Sequence, residues 1–143
     1  MPDADDFAAV DRSPGPLFEW AEGPFARSKV RPTAVEALVA GLIWKHAGRR
    51  SPISIAEILR LAPALNERKV KEIVEELRVT HRAAIGSRRE DPAGYFRIMD
   101  AEDLETTLRP YESQILRMWQ VHGALAPPAR VRELLGQLRL EEE

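Results

Sequence analysis

The chain contains no cysteine. A disulfide framework and a zinc site built on thiolates are therefore excluded, and the absence suits a reducing compartment. Nor does any apolar run approach the roughly 18 residues of a membrane span. The opening stretch, MPDADDFAAV, is acidic where a secretory leader would be basic and then apolar. These absences lead to the expectation of a cytoplasmic protein that does not enter a membrane. Catalytic signatures are missing too: there is no glycine-rich phosphate loop, no HExxH, no G-x-S-x-G and no thiol nucleophile. His46, His81 and His122 fall in separate stretches with no i, i+4 partner, so neither a metal, a cofactor nor a general base is implied. The expectation is a non-enzyme.

What is present is one domain's worth of chain, 143 residues, with room for a core and for tails. Its formal net charge of −2 argues against a nucleic-acid binder when taken as an average. The distribution argues differently. Met1–Pro32 carries six acids and four bases, Thr33–Met99 eight and twelve, and Asp100–Glu143 nine and five. Any anion-binding surface is thus expected in the middle segment, between acidic ends that limit non-specific binding.

Residues 1–32 form a proline-rich arm, with Pro2, Pro14, Pro16, Pro24 and Pro32. Leu17, Phe18, Trp20 and Phe25 are too apolar for a solvated tail, so the arm is expected to dock, on its own domain or on a partner. Thr33–Ala47 reads as a helix opened by a Thr33/Glu36 capping box and ended by Gly48, with Val35, Leu38, Val39, Leu42, Ile43 and His46 on one face. Trp44 points the other way, beside Ala37, Ala40 and Gly41, and needs a second layer: the arm, the C-terminal helices or a second subunit.

Ser54-Ile-Ala-Glu57 is another capping box, opening a short helix that stops before Pro63. Asn66 then caps ERKVKEIVEELR, in which Val70, Ile73, Val74 and Leu77 recur at helical spacing and must face the core. Two short helices joined by a tight turn form a helix-turn-helix pattern. From Ala84 the spacing becomes extended, and the turn-rich Arg88–Gly94 separates Ala84–Ser87 from Tyr95–Met99 as in a β-hairpin. One or both of Tyr95 and Phe96 are expected to seal the core.

Asp100 caps a longer helix whose Leu104, Leu108, Tyr111, Ile115, Met118 and His122 follow at 4, 3, 4, 3, 4 spacing, the seam of a coiled coil or helix pair. Pro110 removes one backbone hydrogen bond, so a kink or a fresh helix start is expected there. Beyond Pro127-Pro128 a last amphipathic helix carries Val131, Leu134, Leu135 and Leu138. The fold class expected is mainly α with a small β-hairpin, divided into the arm at 1–32, a domain at 33–99 and a helical extension at 100–143 for dimerisation or docking.

The stretches ISIAEIL, NERKVKEIVEELR and IGSRREDPAGYFRI, followed at once by a capped helix, resemble the winged helix-turn-helix DNA-binding modules of phage and bacterial replication and regulatory proteins. The resemblance covers about Ile53 to His122 and specifies architecture better than target. It implies that the helix after the turn enters the major groove of double-stranded DNA and that the hairpin wing meets the backbone or minor groove. On that reading Arg68 bridges guanine, Asn66 reads adenine once released from capping, and Lys69 and Lys71 take phosphates. Arg88 and Arg89 fall at the tip of the wing, with Arg82 ahead of it, and suit phosphate or minor-groove contact. A homodimer would form through Trp44 or through the Leu104, Leu108, Tyr111, Ile115, Met118 seam.

The competing expectation is a winged helix that binds protein partners, through its arm or C-terminal helices, and never touches DNA. Glu72, Glu75 and Glu76 would repel phosphates, and Arg68–Glu72 and Lys71–Glu75 are i, i+4 pairs that support any solvated helix. Arg49 and Arg50 read more simply as solubilising charge.

Overall fold

The computed structural model describes residues 23–142, a mainly helical chain with one small antiparallel hairpin. The arm residues Leu17, Phe18 and Trp20 lie outside the described residues. Phe25 lies within them and packs against the main core, where its ring meets His81 edge-on with centroids 5.2 Å apart.

Helix α1 (Ala34–Trp44) opens with a complete capping box: Thr33 Oγ1 accepts from the Glu36 N–H at 3.2 Å, and Glu36 Oε1 accepts from the Thr33 N–H at 2.8 Å. It ends three residues short of the expected Ala47, because the chain leaves the helix to join the sheet. The His46 carbonyl accepts from the Arg97 N–H, and Gly48 N–H donates to the Arg97 carbonyl. The buried side of α1 is Val39, Ala40 and Ile43, while Leu38 is exposed, which corrects its placement on the core face. Trp44 requires no second subunit for cover. It packs against both apolar clusters of its own domain, with the Arg97 guanidinium 5.7 Å from its ring centroid.

Helices α2 (Ile55–Leu61) and α3 (Glu67–Val79) are separated by the caps Ala62 and Asn66 and the three residues between them. Ser54 caps α2 by accepting from the Glu57 N–H, but Glu57 turns to Arg60 instead of back to Ser54, so only half the capping box forms. In α3 the four expected core residues, Val70, Ile73, Val74 and Leu77, are all buried, and α3 packs on α1 and α2.

Strands β1 (Ile85–Arg88) and β2 (Gly94–Arg97) pair antiparallel, Ile85 facing Arg97 and Arg88 facing Gly94. Period-2 alternation buries Phe96 and Ile98 and leaves Met99 in solvent; Tyr95 is half-buried against the main core. A further rung comes from the α1–α2 connection, where Ile53 and Tyr95 exchange two backbone hydrogen bonds at 2.8 and 2.9 Å. Gly94, at φ +152°, permits that rung, since a Cβ there would strike the Ile53 carbonyl.

Helix α4 (Ala101–Leu125) is capped by Asp100, whose Oδ1 accepts from the Asp103 N–H at 2.8 Å. Its first turns bind the hairpin. The Asp103 carboxylate, 1% exposed, accepts from Arg49 N–H at 3.1 Å, Arg49 Nη1 at 2.9 Å and Met99 N–H at 2.9 Å. Thr107 Oγ1 accepts from the Ser87 N–H of β1 and donates to the Asp103 carbonyl. Arg49 also pairs with Asp100 and Glu102, so it is a structural cation and not the solubilising charge expected.

These contacts move the boundary expected at Asp100. The first compact unit ends at Thr107, and the second runs from Leu108 through helix α5 (Pro128–Glu142) to Glu143. Pro110 sits inside α4, correcting the expectation of a fresh helix start. The preceding turn is already fixed by Asp103 and Thr107, so the helix propagates past one missing bond.

Glycine substitutions separate packing from propensity. A Cβ on Gly86 would overlap the Phe96 ring and lie 2.8 Å from Thr107 Oγ1, whereas Gly41, inside α1, has nothing within 4 Å. Gly86→Ala is expected to lower unfolding free energy by about 1–3 kcal/mol. Gly41→Ala is expected to raise it by about 0.5–1 kcal/mol. Urea denaturation midpoints of the two variants should shift in opposite directions.

Candidate nucleic-acid interface

The α3 residues opposite the buried stripe begin at its cap. Asn66 Oδ1 accepts from the Lys69 N–H at 2.8 Å, so its side chain is engaged in holding the helix start and is not free to read a base as it stands. Arg68 extends into solvent with its side chain 90% exposed, and Lys69 and Lys71 are exposed beside it. All three have acidic neighbours on their own helix. Arg68 Nε lies 3.3 Å from Glu72, Lys69 Nζ 3.9 Å from the same carboxylate, and Lys71 Nζ 3.3 Å from Glu67. Lys71 therefore reaches back to Glu67 and not forward to Glu75, the pairing anticipated from spacing. The backward pair sits near the helix N-terminus, where the dipole favours an acid.

Such exposed pairs are worth roughly 0.2–1 kcal/mol each, little enough that a phosphate can displace the carboxylate. The three cations thus remain available for an anionic ligand. Glu75 and Glu76 lie further along α3, and Glu76 is engaged by the Thr80 hydroxyl.

The arginines of and before the hairpin are not equivalent. Arg89 is exposed in the loop between the strands, as expected for a tip. Arg88 ends β1 and folds back, Nη1 donating to the Arg49 carbonyl at 3.2 Å and Nη2 to the Asp91 carbonyl at 3.3 Å. This corrects its placement at the tip: the guanidinium fastens the loop to the α1–α2 connection. Arg82 is exposed in the left-handed conformation, φ +53°, just beyond α3.

Sequence reasoning missed Arg27, which the arm brings close to Arg82. Its guanidinium is held below the usual range, first by burial and second by the Arg82 charge. Proximity across 55 positions of sequence leaves no local signal, so no pattern in the sequence marks it.

Arg82 owes its position to the residue before it. His81 is 1% exposed, its Nδ1 2.7 Å from Ser28 Oγ and its Nε2 3.1 Å from Glu36 Oε1. One imidazole therefore joins the arm, the start of α1 and the end of α3. The Glu36 carboxyl is held below the ordinary carboxylate range, chiefly by the Thr33 N–H and further by His81, against the opposing effect of burial. His46, by contrast, bonds the Ser51 carbonyl through Nδ1 at 2.9 Å, and no His, Asp and Glu cluster fit for a metal occurs among the described residues. Among them, too, no helix is long and apolar enough to cross a membrane.

No protein-family model, curated protein or solved structure matches the chain.

Because the Glu36 pKa is lower folded than unfolded, its contribution to stability is full above the ordinary carboxylate value and is lost as pH falls through the folded value. Glu36→Gln should therefore be less stable at neutral pH and show a shallower loss of stability on acidification below about pH 4.5. Urea midpoints across that range check this; superimposable acid limbs would show that the capping box and His81 do not hold the carboxylate.

Proposed function

We propose that the protein is a non-enzymatic winged-helix DNA-binding protein acting in replication or transcription regulation, with α3 directed at the major groove of a duplex and the hairpin as its wing. The observation that carries the reading is a combination in one element. α3 follows α2 through a tight turn, buries Val70, Ile73, Val74 and Leu77, and presents Arg68, Lys69 and Lys71 to solvent from its first turns. Base edges are reached mainly by the N-terminal part of such a helix. The α1–α2–α3–hairpin order, with the Ile53 rung added to β2, supports the same architecture.

In this reading Arg68, at the most exposed position, is the candidate for bidentate contact with guanine, and Lys69 and Lys71 neutralise phosphates. Arg89 supplies the wing contact and Arg82, with Arg27 beside it, a further backbone contact. Arg88 is reassigned from contact to support of the loop.

A second reading, a winged helix that binds protein and not DNA, is favoured by the acids Glu67, Glu72, Glu75 and Glu76 that share the outward side of α3 with the three cations.

Fluorescence anisotropy of a labelled random duplex, titrated at two salt concentrations, separates them. Binding is expected to weaken with salt. The triple variant Arg68→Ala, Lys71→Ala, Arg89→Ala should bind at least about tenfold more weakly, with the slope of log K against log salt reduced by about 3. Absence of binding by the wild-type protein at low salt would reject the DNA reading.

A further inference from the structure

The second compact unit has no core of its own commensurate with its apolar content. From Leu108 to Leu125, α4 exposes Leu108, Tyr111, Ile115, Met118, Trp119 and Leu125, with Ile115 at 62% and Leu125 at 82%, and, off that stripe, Leu116 and Val121. Helix α5 meets α4 near the turn, where His122, Arg130, Glu133, Leu134 and Gln137 line one open cleft. It leaves Leu135, Leu138 and Leu140 in solvent too. A helix of this length gains most of its stability from packing an apolar face, and here the described residues supply little to pack against.

We infer that the face of α4 from Leu108 to Leu125 pairs with the same face of a second copy of this chain, forming a homodimer. Three observations select that occupant. First, Leu108, Tyr111, Ile115, Met118, His122 and Leu125 repeat at 3, 4, 3, 4, 3 spacing, the seam by which like helices interdigitate, and none carries a fixed charge. Second, Leu108–Glu143 contains five arginines and five glutamates, so two copies approach without net repulsion. Third, Leu108, Tyr111, Ile115, Met118 and Leu125 are each at least 40% exposed, a continuous apolar strip of the kind that marks an interaction surface.

His122, the polar member of the seam, stacks on Trp119 with ring centroids 5.9 Å apart. Of the two surfaces anticipated for self-association, Trp44 is half-buried against both apolar clusters of its own domain, whereas the α4 face is exposed. Leu104 drops from the seam because it packs on the Ala84, Phe96 and Ile98 cluster.

The inference does not depend on DNA binding, and the cysteine-free chain makes its test clean. Light scattering of the full chain from micromolar to hundred-micromolar concentration should give twice the chain mass, and Ile115→Glu/Met118→Glu should give the single mass. Ile115→Cys should cross-link to a second copy with a short bis-maleimide, whereas Val79→Cys, exposed on the first unit, should not. A monomeric wild-type chain throughout that range, a double variant that stays dimeric, or cross-linking at position 79 and not at 115 would each overturn the proposal.

Discussion

The buried Asp103 carboxylate is the point at which the first unit is tied together. Its two oxygens hold the backbone of Arg49 from the α1–α2 connection, the Arg49 guanidinium, and the backbone N–H of Met99 where the hairpin ends. A carboxylate taken out of water costs several kcal/mol unless its lone pairs are filled and a counter-charge is at hand. Both conditions are met here, and meeting them fixes geometry. Arg49 cannot approach Asp103 unless the chain leaves α1 at Trp44, and Met99 cannot unless β2 ends at Arg97. The Arg49 carbonyl, held in turn, accepts from Arg88 and so helps set the path of the hairpin loop. The charge network therefore reaches from the start of α4 to the hairpin that the functional reading employs. The hydrogen bond to Asp103 holds the Arg49 guanidinium above its ordinary range.

That network explains what could and could not be read from the sequence. Helix α3 was legible in full because its four core positions follow helical spacing and its cap is a single asparagine. The Thr33/Glu36 box located the start of α1, since both partners lie three residues apart. Its end was not legible: Gly48 is a plausible stop, but Arg97, far along the chain, draws His46 and Gly48 into backbone pairing before the helix can reach it. Arg49 looked like solvent-facing charge for the same reason. Its partners Asp100, Glu102 and Asp103 lie more than fifty residues away, and no local period records them.

The candidate interface was legible by type more than by arrangement. Exposure of Arg68, Lys69 and Lys71 follows directly from burial of the other side of α3. Choice of ion-pair partner depends on rotamers, so spacing offered Glu75 to Lys71 while the folded helix gives it Glu67. Arg88 and Arg89 are adjacent and alike in sequence, yet strand alternation separates them. One falls where it can bond two carbonyls, and the other stays in the loop. His81 gave no signal of its role because its three neighbours, Phe25, Ser28 and Glu36, come from a different part of the chain.

The distribution of charge limits how this chain can bind an anion. With a net charge of −2 and acidic flanks, the long-range field does little to draw a polyanion in, and it is screened within about 8 Å at physiological salt. Affinity must then arise from short-range contacts, few in number, made by side chains already exposed. The ion pairs along α3 set a low barrier to this because exposed pairs of this kind hold Arg68 and Lys71 only weakly. The same pairs raise the threshold, since every phosphate accepted leaves Glu67 or Glu72 nearby and unneutralised. On the proposed DNA reading, a surface so balanced would favour sites where the duplex supplies more than phosphate, a guanine edge within reach of Arg68 above all. Self-association through α4 would act in the same direction, because two weak sites held in one particle bind together more tightly than either alone when the duplex presents both.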